Sequence, residues 1–157
     1  MKMKSILLSV VLIAGVLLVS CKKDDDTIPA GSNGNMSLSY DGTSWSASMS
    51  VQAVNTNGVI NITGSDASAH QAAVTLYEVT GPGTYKVGAN ANVGNSIRWT
   101  EGIDPKQTYN ASFVLGSGTV TITELSATKI KGTFSGTVYN TDQTSKTITN
   151  GEFDANL

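Results

Sequence analysis

A single cysteine, Cys21, ends an apolar run and is followed at once by Lys22-Lys23-Asp24-Asp25-Asp26. A thiol in that place can carry a lipid through a thioether. His70 is the only histidine, so no two-histidine metal site can form. Asp66 stands four residues before it in a polar loop, but no nucleophile-elbow motif supplies the serine of a hydrolase. His70 therefore reads as a solvated loop residue. Gly81-Pro82-Gly83 and Gly116-Ser117-Gly118 open no helix and lack the Lys-Ser/Thr of a phosphate loop, so they read as turns. Glu78, Glu101, Asp104, Glu124, Asp142, Glu152 and Asp154 fall mostly at strand ends and turns, where a glycosidase would need two of them paired. Trp45, Tyr85, Trp99 and Tyr109 could stack on sugar rings. Trp45 lies in an alternating apolar face and reads as core. Trp99 with Arg98 is the candidate ligand-binding pair, a flat apolar face beside a donor.

The elements that must position these residues begin with an export segment. Lys2 and Lys4 precede Ile6 to Val19, 14 almost wholly apolar residues. That is too short to span a bilayer, which takes about 20, and has the length of a signal-peptide core. Leu18-Val19-Ser20-Cys21 resembles the bacterial lipobox. The resemblance implies cleavage after Ser20 and a diacylglycerol thioether on Cys21, which becomes the mature N-terminus. Two or three acyl chains anchor stably where one does not. Lys22, Lys23, Asp24, Asp25 and Asp26 cannot fold alone. They resemble the export signal on surface lipoproteins of the Bacteroidota, which implies an outer-membrane protein facing the cell exterior. Residues 1–20 are thus the expected signal peptide, 21–35 the lipidated cysteine and a disordered tether, and 36–157 one domain.

Removing residues 1–20 leaves eight basic against twelve acidic side chains, a net charge of −4. With no basic stripe, nucleic acid is not an expected partner. No cofactor or metal is expected either. With its cysteine lipidated the domain has no disulfide, and its stability must come from burial. About 120 residues suffice for one core.

From Asn35 onward the apolar period is two. Met36, Leu38 and Tyr40 alternate with serines, and Asp41-Gly42 is a hairpin signal. Trp45, Ala47, Met49, Val51 and Ala53 line one face of what reads as a single long strand. After Asn57-Gly58, strands follow over 59–63, 72–79, 84–87 and 96–101. Tyr109, Ala111, Phe113 and Leu115 alternate in the next, then come 119–125 and 130–138. The last strand, 146–156, changes phase between Ile148 and Phe153, which places a β-bulge at Asn150-Gly151. Ten short strands without a helical period predict an all-β antiparallel domain, a sandwich of about ten strands, or alternatively a closed or partly open barrel.

Gly83-Thr84-Tyr85, Gly118-Thr119-Val120-Thr121-Ile122-Thr123, Ile130-Lys131-Gly132-Thr133-Phe134-Ser135-Gly136 and Ile148-Thr149-Asn150-Gly151-Glu152-Phe153 occur in this order. The set resembles a family of small Bacteroidota lipoproteins described only as a domain of unknown function. The resemblance covers roughly residues 36–157 and implies fold and location, with no catalytic residues. Two functions follow as expectations. The first is a non-catalytic binding or assembly module at the membrane, contacting glycan or another envelope protein. The alternative is a small surface hydrolase such as a glycosidase.

Overall fold

The computed structural model describes residues 34–89, 91 and 93–157. Ser20, Cys21 and the charged block 22–26 lie outside the described residues, and the lipidation and export expectations with them. Eleven strands follow in order: β1 (Gly34–Tyr40), β2 (Thr43–Ser46), β3 (Ser50–Thr56), β4 (Val59–Ser65), β5 (Gln71–Leu76), β6 (Gly83–Gly88), β7 (Ser96–Thr100), β8 (Thr108–Ala111), β9 (Ser117–Leu125), β10 (Lys129–Tyr139) and β11 (Ser145–Asn156). One 3-10 turn, Pro105–Gln107, precedes β8, capped by the Asp104 carboxylate accepting from the Lys106 amide at 2.9 Å. The all-β antiparallel class is as expected. β1 starts at Gly34, so the last two residues assigned to the tether are strand, in register with Ala155 and Asp154.

All the strands belong to one antiparallel sheet curled into a half-barrel. Its path runs β2-β1-β11-β10-β8-β7-β5-β4-β3, and β9 branches from β10 to carry β6. The sheet has two walls. One is the six strands β6-β9-β10-β11-β1-β2; the other is the five strands β8-β7-β5-β4-β3. The ladder passes from one to the other at the far end of β10, where Tyr139 pairs with Asn110. Of the architectures weighed, the partly open barrel is the one adopted, because this pairing keeps the walls in one hydrogen-bonded sheet. The core fills the space between them. A Cβ added to Gly64 of β4 would lie 2.9 Å from Met36 Sδ of β1, and one added to Gly118 of β9 would lie 2.9 Å from Ile97 Cδ1 of β7. Such spacing leaves room for no side chain, so glycine is what lets the walls close to packing distance.

The phase change in β11 is a bulge. Phe134 pairs with Gly151 and Gly136 with Ile148, so one residue of β10 faces two of β11. Asn150 takes φ 50° there. The slip keeps Ile148, Gly151, Phe153 and Ala155 all buried. Phe153 stacks on Phe134 at 6.3 Å between ring centroids.

Two expected strands end early. The alternation from Trp45 to Ala53 is not one strand, because β2 and β3 have different partners. The Ala47 amide donates to Met36 of β1 at 2.9 Å, whereas the Ser48 and Met49 amides donate to Ser65 of β4 at 3.1 and 3.0 Å. The chain turns a corner between walls at these three residues, and Met49 is left 55% exposed. The strand from Tyr109 likewise stops at Ala111. Ser112 and Leu115 exchange backbone hydrogen bonds at 2.7 and 3.1 Å around Phe113 and Val114, which stand 58% and 83% exposed. Period two alone does not reveal where a strand changes partner or reverses.

Candidate functional site

Successive residues of a strand point to opposite faces, and β7 applies this to the predicted pair. Trp99 faces the core at 0% exposure, whereas Arg98 lies on the outer surface. The two do not converge, and the Trp99 ring is not presented to a ligand. The expectation that it stacks on a sugar is corrected by its surroundings. Tyr40 lies 4.7 Å from it, tilted by 32°, Trp45 5.1 Å away edge-on, and His70 5.7 Å away and nearly parallel at 13°.

The cluster around Trp99 sits at the end of the half-barrel where the β1–β2 turn, the β4–β5 loop and the segment after β7 meet. Asp66 organises its first half. One carboxylate oxygen accepts the amides of Ser68 and His70 at 2.8 and 3.0 Å. The other accepts Trp45 Nε1 at 2.8 Å and pairs with His70 Nδ1 at 2.7 Å. Burial pushes this carboxyl up, but the hydrogen bonds from His70, Trp45 and Ser68 together outweigh it and hold Asp66 below its ordinary range. Lys146 organises the second half. It pairs with Glu101 at 3.0 Å and Asp41 at 3.3 Å and stands over the Tyr40 and Tyr109 rings at 5.4 and 5.3 Å. Burial draws the ammonium down, and the Glu101 and Asp41 carboxylates more than reverse this, so Lys146 is raised. Trp99 Nε1 donates to the same Glu101 carboxylate at 3.1 Å, which joins the two halves. An Asp-held imidazole is the arrangement that orients a general base. Among the described residues, however, no hydroxyl hydrogen-bonds His70, and the contacts of Asp66 fix its own loop and tie it to Trp45 of β2.

The outer face of the six-strand wall has a different character. One row of residues in direct register crosses all six strands: Thr84, Thr121, Thr133, Glu152, Ser37 and Ser46. With neighbouring strands ~4.8 Å apart, the row is about 24 Å long. Thr84 and Thr121 approach to 3.4 Å. Glu152 is exposed and has no ion-pair or hydrogen-bond partner among the described residues. Three shallow recesses, of about 340, 460 and 340 Å³, meet at this one side chain. A row of hydroxyls with one central carboxylate can exchange hydrogen bonds with a polyhydroxylated ligand lying across the strands.

Residues 33–155 match a family described as a domain of unknown function, DUF6252. The chain belongs to this family. No curated protein and no solved structure matches it. The DUF6252 match runs from just before β1 to within the last residues of β11, so the half-barrel described here is the family's domain.

Within this DUF6252 domain three of the seven acids read from the sequence, Glu101, Asp142 and Asp154, meet lysines. Asp142 pairs with Lys106 at 3.1 Å, and Asp154 with Lys129 and Lys131 at 3.2 and 3.6 Å. The sequence reading missed the Glu152 row, and it missed that the half-buried His70 ring is held by Asp66 and stacked on Trp99. The row was visible only in part, as Thr119-x-Thr121-x-Thr123 on one strand. Its other members come from five further strands whose register no local pattern specifies.

Proposed function

We propose that the chain is a small surface lipoprotein of the Bacteroidota type, anchored in the outer membrane through Cys21. In this reading its DUF6252 domain is a non-catalytic module that binds glycan at the cell exterior. The observation that carries the binding part is the in-register row from Thr84 to Ser46 with unpartnered Glu152 at its centre. A linear glycan chain offers hydroxyls at a repeat comparable with the strand spacing, so one chain can follow the row and bond at successive strands. The anchor rests on the sequence around Cys21, and the tether would hold this face outward among the glycans of the envelope. The reading is tested by probing a glycan array with the full chain. Binding should concentrate on linear, weakly charged polysaccharides, and Glu152→Ala or Thr133→Val should each weaken it by about tenfold, the loss of one or two hydrogen bonds. No glycan bound, or binding indifferent to both substitutions, overturns it.

A further inference from the structure

The second outer face carries a separate hollow. About 100 Å³ in volume, it opens on the five-strand wall among Asn61, Ala73, Thr75, Ser96, Arg98 and Asn110. That volume is about three waters' share of the liquid. Its origin lies in Ala73, an outer-face residue of β5 set between Thr63 on one side and Arg98 on the other. Ala73 is only 4% exposed, because longer neighbours rise around its methyl group and form the rim.

The rim is rich in donors. Arg98 stands directly across the ladder from Asn110, and Thr75 across from Ser96. Asn61 Nδ2 donates to Thr75 Oγ1 at 2.8 Å, which leaves the Thr75 hydroxyl proton to point elsewhere. The guanidinium of Arg98 is bonded only to a neutral acceptor, Gln71 Oε1, at 2.9 Å. Among the described residues Lys106, Lys129, Lys131 and Lys146 each pair with a carboxylate, whereas Arg98 and Lys86 do not, and of these two only Arg98 lines the hollow. A fixed fork of donors without a carboxylate partner, flanked by an amide and two hydroxyls, suits an acceptor-only group.

We propose that this hollow is a subsite for one small oxyanion: a carboxylate, sulfate or phosphate group. The group would sit over Ala73 with Arg98 as its charged partner and Asn110, Ser96 and Thr75 as neutral donors. Its source is either a free inorganic anion or the acidic substituent of a sugar. The site lies on the wall opposite Glu152, and it stands or falls independently of the glycan-binding row.

The test is a titration of the full chain followed by NMR at constant ionic strength, reading the Arg98 Nε–H and Asn110 side-chain amide signals. Sodium sulfate, sodium phosphate and glucuronate are the probes. Saturable shifts of both signals are expected. Saturation by sulfate or phosphate identifies a free anion as sufficient, and saturation by glucuronate alone identifies a sugar-borne carboxylate. Arg98→Ala should weaken binding at least about tenfold, because a hydrogen bond to a charged group is lost, and Arg98→Lys should weaken it less. Ala73→Leu keeps the arginine but fills the hollow, and should abolish saturation while the circular dichroism stays native. Shifts that rise linearly with all three probes overturn the proposal, as does unchanged affinity in Arg98→Ala or in natively folded Ala73→Leu.

Discussion

Trp99 is held by neighbouring rings and at its one polar atom. Tyr40 and His70 pack against the indole, and Glu101 accepts a hydrogen bond from its N–H. Truncation therefore removes packing and orphans a carboxylate that Lys146 must then satisfy alone. Trp99→Ala is expected to cost about 3–5 kcal/mol, a large part of a typical 5–15 kcal/mol total, seen as a lower urea midpoint. An unchanged midpoint would remove Trp99 from the core. Asp66 gives a pH prediction. Its folded-state pKa lies below the unfolded 3.8, so at low pH the unfolded chain binds the proton first and stability rises with pH. The contribution is complete above the unfolded value and disappears as pH falls through the folded one. Asp66→Asn should lower stability near neutrality and flatten the acid limb of a thermal-midpoint profile. A limb that keeps its slope would assign acid sensitivity to other carboxylates. Alternation already placed Trp99 and Arg98 on opposite faces in the sequence. What the sequence could not show was that the 66–70 loop and the segment after β7 close over the strand end, turning a position that looked like a rim into core.

The strands themselves were legible wherever a local rule governed them. Alternation gave β1, β4, β7 and β9, and the change of phase between Ile148 and Phe153 gave the β11 bulge. The corner at Ala47-Ser48-Met49 was not legible, because no side-chain pattern records that Met36 accepts one amide and Ser65 the next two. The bulge can be tested on its own. Asn150 has φ 50°, a left-handed conformation that asparagine tolerates and β-branched residues resist. Asn150→Gly should leave stability nearly unchanged, and Asn150→Val should lower it by about 1–2 kcal/mol. Equal denaturation midpoints for the two would mean that the bulge relaxes without a positive φ. Gly132 marks another tight position, where an added Cβ would run into the Thr121 carbonyl oxygen of β9 and lie 2.7 Å from Phe153 Cζ. Gly132→Ala should push β10 from β9 as well as move the Phe153 ring, and cost about 3 kcal/mol or more, the upper end of overpacking, seen as a lower urea midpoint.

At the scale of the molecule, the proposed anchor is read from the sequence alone and the domain from the structure. The proposed display rests on Cys21 and the acidic block after it. Cells fed an alkyne fatty acid should label the wild-type chain and not Cys21→Ala; equal labelling of both would end the lipoprotein reading. External protease should remove the protein from intact cells, and replacing Asp24, Asp25 and Asp26 with alanine should protect it. Full protection of the wild type would place the domain on the inner side.

The place of β11 in the sheet has a consequence for the order of events. β11 lies between β1 and β10 and pairs with both along most of its length, yet it comes last of the eleven strands in chain order. Until it arrives, β1 has only the four-residue β2 beside it, and the edge of β10 that β11 will cover stays open. Such pairing between the chain's extremes is slow, because a long loop must close before the contact forms. The half-barrel therefore closes only when β11 joins β1 and β10, and the ten strands before it form an open assembly until then. A chain without β11 would lose the middle of a wall, not a fringe.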